Sequence, residues 1–160
     1  MKGKAHKFGD NINTDYIISG RYKFSITDPK ELAKHIFEDI VPNFSQKVKE
    51  GDFIVAGKNF GCGSSREQAP LAIKASGIKV VIAQSFARIF YRNAINLGLM
   101  LIEADTSRIK EDDELEIFLE KNKIKNISQN IEIDIKPLPA LMQEILNSGG
   151  AIEYFKKHGL

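Results

Sequence analysis

The chain contains 160 residues, of which 42% are hydrophobic and 28% are charged, and its formal net charge is +2. These values are typical of a globular protein with one core, so we expect residues 1–160 to form a single domain. The small net charge, without a basic stripe interleaved with aromatic residues, argues against a nucleic-acid partner. The N-terminus lacks the apolar segment of a signal peptide, and no apolar run approaches the ~18 residues of a membrane span, so we predict a cytoplasmic protein without a membrane partner.

The N-terminal segment predicts a short strand over Lys4–Phe8, followed by a turn at Gly9–Asn11. Asp15 comes soon after this turn, at the end of the sequence Asp-Asn-Ile-Asn-Thr-Asp. A carboxylate in such a turn often accepts backbone hydrogen bonds, and this local role is the first interpretation of Asp15.

Residues 19–27 mix polar and apolar side chains around a glycine and predict a surface loop. The loop leads to a helix over Pro29–Asp39, with Asp28 as its N-cap and Glu31 completing a capping box. This helix collects its apolar residues on one side: Leu32, Ile36 and Phe37.

Residues 59–70, Asn-Phe-Gly-Cys-Gly-Ser-Ser-Arg-Glu-Gln-Ala-Pro, are the most distinctive stretch of the chain. A buried strand is predicted just before it, over Phe53–Gly57, and a helix continues after it, over Leu71–Ser76. Gly61 and Gly63 would let the backbone turn sharply and approach a ligand closely, because neither carries a Cβ.

Ser64 and Glu67 have the Ser-x-x-Glu spacing of a capping box, which would place Ser64, Ser65 and Arg66 at a helix N-terminus. Free N–H groups and the helix dipole favour an anion there, and Arg66 can grip a carboxylate through two hydrogen bonds. The lysine of a phosphate loop and the third glycine of a dinucleotide fingerprint are missing. The motif alone leaves two interpretations open, a small-anion site and a tight turn with an ordinary cap.

The next elements are predicted as a strand over Lys79–Gln84, a helix over Phe86–Leu97 and a strand over Leu99–Glu103. This alternation of strands and helices implies a parallel sheet with right-handed crossovers. Within it, we interpret Ser85 as a helix cap and Arg88 as part of a surface ion pair. Two asparagines of the helix are interpreted as packing or subunit-contact residues: Asn93 and Asn96.

The pattern becomes strand-rich in the C-terminal third. Three half-exposed strands separated by charged turns predict an antiparallel layer: Leu115–Leu119, Lys123–Ser128 and Ile131–Ile135. Two helices are predicted after them, over residues 139–145 and 151–158, on either side of a Gly-Gly pair. The order of elements predicts a mixed α/β fold.

The cysteine and histidine content of the sequence argues against a metal site on this chain. Cys62 is the single cysteine, and one thiolate cannot hold an iron–sulfur cluster, which takes about four. The three histidines lack the spacing of metal ligands: His6, His35 and His158. We therefore predict no metal and no cofactor on this chain. Cys62 could instead be a reactive nucleophile, although no histidine partner for it is identifiable.

Three segments resemble, in the same order, the motifs of the aconitase superfamily. Residues 59–70 are similar to its Gly-Ser-Ser-Arg-Glu signature, residues 10–15 to its Asp-x-Ile-x-Thr-Asp segment, and residues 84–90 to its Ser-Phe-Ala-Arg-Ile segment. The short chain resembles the small-subunit family of isopropylmalate isomerases and homoaconitases, most firmly from about Lys4 to Ala104. The resemblance implies the swivelling β/β/α domain of this superfamily, a mixed sheet with a parallel βαβαβ centre.

The resemblance also implies that the chain is half of a hydro-lyase. It would be active only with a large subunit that carries a 4Fe–4S cluster, in a heterodimer or heterotetramer. Ser64 would be the catalytic base, and Asp15 would orient a histidine of the partner. Ser65 and Arg66 would bind a carboxylate of a small hydroxy-diacid substrate.

In this family the loop before the first long helix contacts the variable end of the substrate. Homoaconitase-type chains carry an arginine after a Tyr-Leu pair to hold an additional carboxylate, whereas residues 22–26 here read Tyr-Lys-Phe-Ser-Ile. Two apolar residues suit an alkyl substituent better than a third carboxylate. Lys23 could reach an anion or face solvent, and Arg21 is interpreted as an anchor of the loop. The predicted substrate contacts of this loop are Phe24, Ser25 and Ile26.

The resemblance favours isomerisation of 2-isopropylmalate and 3-isopropylmalate, in leucine biosynthesis. The unusual length of the loop leaves homoaconitase, citramalate dehydratase and dimethylmalate dehydratase open as alternatives. Outside the enzymes, a regulatory module that binds dicarboxylates is the remaining interpretation.

Overall fold

The computed structural model describes residues 1–22 and 25–159, so two positions of the predicted loop of residues 19–27, Lys23 and Phe24, lie outside the described residues. The strands are β1 (Lys2–Lys7), β2 (Phe53–Ala56), β3 (Val80–Ala83), β4 (Met100–Glu103), β5 (Glu114–Phe118), β6 (Lys123–Asn126) and β7 (Ile131–Asp134). The α-helices are α1 (Thr14–Ile17), α2 (Pro29–Ala33), α3 (Phe44–Lys47), α4 (Gln68–Ala75), α5 (Arg88–Leu97), α6 (Ala140–Asn147) and α7 (Ala151–His158). In the part of the chain so described, no helix has the length and apolar character needed to cross a membrane.

The strands form one mixed sheet in the order β4–β3–β2–β1–β5–β6–β7. Strands β1 to β4 pair in parallel, whereas β5, β6 and β7 extend the sheet in antiparallel pairs. The run β2–α4–β3–α5–β4 confirms the predicted parallel βαβαβ centre, and the three C-terminal strands confirm the predicted antiparallel layer. The assignment of residues 1–160 to a single domain remains a prediction.

The centre of the sheet is buried on both faces. Successive residues of a strand point to opposite faces, so β2 contributes Ile54 and Ala56 to a core under the helices, and Phe53 and Val55 to the core beside β5–β7. All four residues are fully buried. Continuous apolar runs such as this one are typical of parallel strands covered on both sides.

The first long helix is shorter than predicted. Helix α2 has the predicted N-cap, because the Asp28 carboxylate accepts the N–H of Lys30 at 3.1 Å, but it ends at Ala33 and not at Asp39. Phe37 takes a left-handed φ of 55°, donates its N–H to the carbonyl of Ile17 at 2.9 Å, and stacks its ring on another phenylalanine of the core, Phe8. This long-range bond replaces the helical one, so the helix stops while its apolar residues remain buried as predicted.

Candidate active site

The loop from β2 to α4 leaves the sheet at the carboxyl end of the parallel strands, the edge at which open α/β sheets bind ligands. Backbone bonds tie it to the N-terminal segment: the N–H of Gly61 donates to the carbonyl of Ile12 at 2.7 Å, and the N–H of Thr14 donates to the carbonyl of Cys62 at 2.9 Å. On the other side, the N–H of Phe60 donates to the carbonyl of Ser85 at 3.0 Å. The three sequence motifs therefore meet at one edge of the sheet.

A cavity of about 290 Å³ lies between this loop and the start of α5. Its first wall consists of Thr14 and the following loop residues: Gly61, Gly63, Ser64, Ser65 and Arg66. Its second wall consists of residues 87–90 and Asn93, in the first turns of α5. Two arginines, two serines and one amide thus line a small volume, which suits a small anion with several oxygens.

Ser64 is held by its backbone and not by its side chain. The buried hydroxyl of Thr14 donates a hydrogen bond to the carbonyl of Ser64 at 2.7 Å. Ser64 itself is exposed at the cavity, and its hydroxyl makes no hydrogen bond to residues 1–22 or 25–159. The hydroxyl is therefore available to a ligand.

The predicted capping box is wrong. Helix α4 begins at Gln68, three residues later than a Ser64 cap would require, and its N-cap residue, Glu67, makes no side-chain hydrogen bond. The physical reason lies in Pro70, because in the interior of a helix that began at Ser65 its ring would clash with the carbonyl of Arg66, whereas proline is tolerated in the first turn of a helix that begins at Gln68. Ser64 and Ser65 consequently lie in the loop, ahead of the helix.

The Arg66 guanidinium lines the cavity with its side chain only 17% exposed. Its Nη2 atom is 2.8 Å from Oδ1 of Asp15, whereas its Nη1 atom is buried and has no hydrogen-bond partner in the described part of the chain. Gly20 makes room for the group, since a Cβ there would lie 2.9 Å from Nη1. A buried donor of a charged group is costly to leave unpaired, so this atom is the clearest sign of a ligand site.

Asp15 does not have the local role inferred first. Asn13 caps α1, because its side-chain oxygen accepts the N–H of Tyr16 at 3.1 Å. The Asp15 carboxylate instead pairs with Arg66 and is 57% exposed. The interpretation of Asp15 as an acceptor of backbone hydrogen bonds is therefore wrong: its carboxylate orients the Arg66 guanidinium and keeps one side open.

Of the substrate contacts predicted in the loop of residues 19–27, those that the structure describes do not line this cavity. Ser25 is exposed and donates a hydrogen bond to the carbonyl of Arg21 at 3.4 Å. Ile26 is half-buried beside a separate cavity of about 230 Å³ that Glu67 also lines. Phe24 lies outside the described residues.

Arg21 is engaged within the loop region, as its interpretation as an anchor requires. Its Nη2 atom is 2.8 Å from Glu38 and 3.0 Å from Asp39. Burial raises the pKa of Glu38, but hydrogen bonds from Tyr22, His35 and the guanidinium outweigh burial and hold this pKa below its usual value. Glu38 therefore stays ionised near neutral pH and keeps its ion pair with Arg21.

The interpretations of Ser85 and Arg88 are wrong. The Ser85 hydroxyl accepts the N–H of Asn59 at 2.8 Å, and α5 begins only at Arg88, behind an Ala87 that offers no side-chain cap. Arg88 forms no ion pair with any described residue and lines the cavity. Asn93 lines it as well, and its spacing of four residues from Ile89, the residue that follows the Ser-Phe-Ala-Arg motif, is the signal that could have identified it.

The residues present do not fit a metal cluster. Cys62 is the only cysteine of the sequence, and the described residues contain no group of three or more histidine, cysteine, aspartate or glutamate side chains able to hold a metal ion. An iron–sulfur cluster takes about four thiolates.

Comparison with known proteins gives the family. Residues 7–107 match the family model described as the aconitase C-terminal domain. The chain belongs to the aconitase C-terminal domain family. For small subunits of this family the cluster is carried by the large subunit, and a small-subunit name implies a large-subunit partner.

Members of the aconitase family with closely similar sequences cover almost the whole chain. A protein of Archaeoglobus fulgidus named 3-isopropylmalate dehydratase small subunit 2 is 57% identical over 99% of this chain and 96% of its own length. A protein of Methanocaldococcus jannaschii named methanogen homoaconitase small subunit is 57% identical over 100% of this chain and 94% of its own length. Because the chain is equally identical to a protein named as an isopropylmalate dehydratase subunit and to one named as a homoaconitase subunit, sequence identity alone does not identify its substrate.

A solved structure confirms the predicted fold. The crystal structure of a 3-isopropylmalate dehydratase from Methanocaldococcus jannaschii superimposes with a TM-score of 0.95 at 57% identity, covering 99% of this chain and 94% of that one. The mixed α/β fold and the parallel centre predicted from the sequence are therefore those of this aconitase-family structure.

Proposed function

We propose that this chain is the small subunit of a two-subunit hydro-lyase that interconverts 2-isopropylmalate and 3-isopropylmalate through dehydration and rehydration, in leucine biosynthesis. The observation that carries the proposal is Nη1 of Arg66, a buried donor with no partner among residues 1–22 and 25–159, on a side chain that lines the cavity. A substrate carboxylate supplies the acceptor that this donor needs. Similarity to proteins named as dehydratase small subunits supports the substrate class.

The reaction needs a base. A proton must leave the carbon next to a carboxylate, hydroxide must leave the neighbouring carbon, and water must then return with the two positions exchanged. Ser64 is the base in this proposal, because its hydroxyl lies at the cavity without a bond to any described residue. Serine is a weak base, so it must act as an alkoxide whose charge nearby donors stabilise.

Arg66 and Ser65 bind the substrate in this proposal. The guanidinium can hold a carboxylate through Nη1 while Nη2 remains 2.8 Å from Asp15. Negative charge develops next to the same carboxylate when the proton leaves, so Arg66 stabilises the transition state more than the bound substrate. The exposed hydroxyl of Ser65 adds a second donor at the cavity.

Asp15 connects the two subunits in this proposal. One oxygen of its carboxylate pairs with Arg66, and the exposed remainder is accessible to a histidine of the large subunit. A carboxylate behind an imidazole fixes the tautomer of the ring and raises its basicity. Asp15 would thus position one group of each subunit.

The large subunit provides what this chain lacks. Its 4Fe–4S cluster would supply the Lewis acid that stabilises the departing hydroxyl group. Base and carboxylate binding come from this chain, so the active site is complete only in the assembled enzyme, a heterodimer or heterotetramer. We also propose that the assembled enzyme is cytoplasmic, as the sequence predicts.

Isopropylmalate is the preferred substrate because no arginine of the described loop is free to bind a third carboxylate. The arginine of that loop, Arg21, already pairs with Glu38 and Asp39. Homoaconitase is the second candidate, supported by the 57% identity to a chain with that name.

Anaerobic reconstitution tests the proposal. The chain is mixed with a cluster-bearing large subunit, and enoate absorbance is followed with 2-isopropylmalate, homoisocitrate and citramalate in parallel. We expect activity only in the mixture, with the highest kcat/KM for isopropylmalate. A preference for homoisocitrate would keep the mechanism and change the substrate.

The same assay gives the contradicting outcomes. Turnover by the isolated chain would show that no partner is needed. Absence of turnover with a partner proven competent by its own small subunit would exclude the enzyme and favour a module that only binds dicarboxylates.

A further inference from the structure

The wall of the cavity opposite Ser64 is fixed by close packing. Gly61 has a φ of 84°, and a Cβ at this position would lie 2.2 Å from Cγ of Phe90, so α5 touches the backbone of the loop. The N–H of Ala87 donates to the carbonyl of Phe60 at 2.9 Å and sets the start of α5 along the loop. The side chains of the first two turns of α5 are thus held at a defined distance from the loop.

Asn93 is the neutral polar side chain on this wall. It is half-buried, lines the cavity, and makes no side-chain hydrogen bond within residues 1–22 and 25–159. An amide carries two N–H donors and one carbonyl acceptor, and leaving these groups partly buried and unpaired costs free energy. The side chain therefore has unused hydrogen-bonding capacity directed to the same volume as Ser64 and Arg66.

The second asparagine of α5 serves as a comparison. Asn96 lies three residues further along, is exposed, and does not line the cavity. The same residue type therefore occurs on the same helix with and without access to the cavity. Asparagine is an equally poor helix former at both positions, so helix propensity gives no reason to expect different effects when Asn93 and Asn96 are replaced.

We propose that Asn93 is a substrate-binding residue of the cavity, whose amide hydrogen-bonds an oxygen of the hydroxy diacid on the side opposite Arg66. This inference rests on the proposed function and adds a contact to it. A substrate with two carboxylates and a hydroxyl needs donors on both walls of the cavity. Arg66 and the serines supply one wall, and the other wall has a charged donor, Arg88, and an uncharged one, Asn93.

Three variants test Asn93 in the reconstituted enzyme with 2-isopropylmalate as the probe. Asn93→Ala should raise KM by about three- to tenfold, the loss expected for one neutral hydrogen bond. Asn93→Asp keeps the shape and adds a negative charge beside a dianion, so its KM should rise further, and added salt should reduce the defect. Asn96→Ala is the matched control and should leave KM and kcat within twofold of wild type.

Thermal unfolding of each reconstituted variant distinguishes substrate binding from a structural role. We expect unchanged midpoints together with raised KM for both Asn93 variants. If the wild-type enzyme turns over isopropylmalate, either of two results would overturn the inference. One is a KM of Asn93→Ala equal to that of wild type, and the other is a raised KM of Asn93→Asp that does not depend on salt. An inactive wild-type mixture would instead contradict the proposed function.

Discussion

Substitution of Gly61 by alanine tests how the active-site loop is held against α5. Gly61 has a φ of 84°, where an L-residue with a Cβ costs about 1–2 kcal/mol. The added Cβ would also lie 2.2 Å from Cγ and 2.5 Å from Cβ of Phe90. Overpacking of this kind costs about 1–3 kcal/mol, because the phenylalanine and the helix must shift. The sum predicts that Gly61→Ala lowers the free energy of unfolding by about 2–5 kcal/mol.

Gly63→Ala is the matched control for this substitution. Gly63 has a φ of 91°, so the backbone cost is similar, but the nearest atom to an added Cβ is Cβ of Asn13 at 3.4 Å, an ordinary contact. We therefore expect a loss of only about 1–2 kcal/mol. Urea unfolding followed by circular dichroism measures both variants, and each kcal/mol should lower the melting temperature by about 2–4 °C. Equal destabilisation of the two variants would refute the packing of Gly61 against Phe90.

Two further predictions concern acid stability and assembly. Burial raises the pKa of Asp113, but hydrogen bonds from Asn126, the N–H of Lys110 and a glutamine outweigh it and hold this pKa below its usual value. Because the pKa of Asp113 is lower in the folded state, its ionised form stabilises the protein above the unfolded pKa of about 3.9. This stabilisation is lost as the pH falls through the folded-state pKa, so the free energy of unfolding should decline below about pH 4. Ile89 is 52% exposed at the cavity, so burial by the large subunit would stabilise the complex by about 2 kcal/mol, and Ile89→Ser should weaken subunit binding roughly tenfold or more.

Each of these predictions has its own control. Asp113→Asn should be destabilised at pH 7 and show a flatter decline in urea midpoint between pH 5 and pH 3, and a decline as steep as that of wild type would contradict the assignment. Ile152→Ser changes an isoleucine that is 65% exposed on α7, outside the cavity. Titration calorimetry with the large subunit should give wild-type affinity for this control, and equal weakening by both serine variants would argue against Ile89 as a contact.

The sheet could be predicted because its signals are local. An apolar run bounded by glycines identified β2, two further apolar runs identified β3 and β4, and the intervening helices required parallel pairing. The end of α5 was equally readable, since Gly98 takes a left-handed φ of 85° immediately after Leu97. Each of these features depends on residues close together in the chain.

Two of the features that were predicted wrongly depend on long-range bonds. Helix α2 ends early because Phe37 donates to Ile17, and Ser85 does not cap α5 because its hydroxyl accepts the N–H of Asn59, 26 residues away. Periodicity gives no information about such partners. The location of Asn93 in the cavity likewise depends on the packing of α5 against the loop. The sequence motif therefore identified one wall of the site and missed the other.

The central claim is that Ser64 is the base of a site completed by another subunit, and substitution of the two neighbouring serines tests it most directly. Both serines are exposed at the same cavity, so Ser65→Ala controls for the general effect of removing a hydroxyl from it. In the reconstituted enzyme with 2-isopropylmalate, Ser64→Ala should lower kcat by about 10²–10⁴-fold, the contribution of a positioned base, whereas Ser65→Ala should mainly raise KM, by about two- to tenfold. Comparable kcat values for the two variants would contradict the assignment of Ser64 as the base.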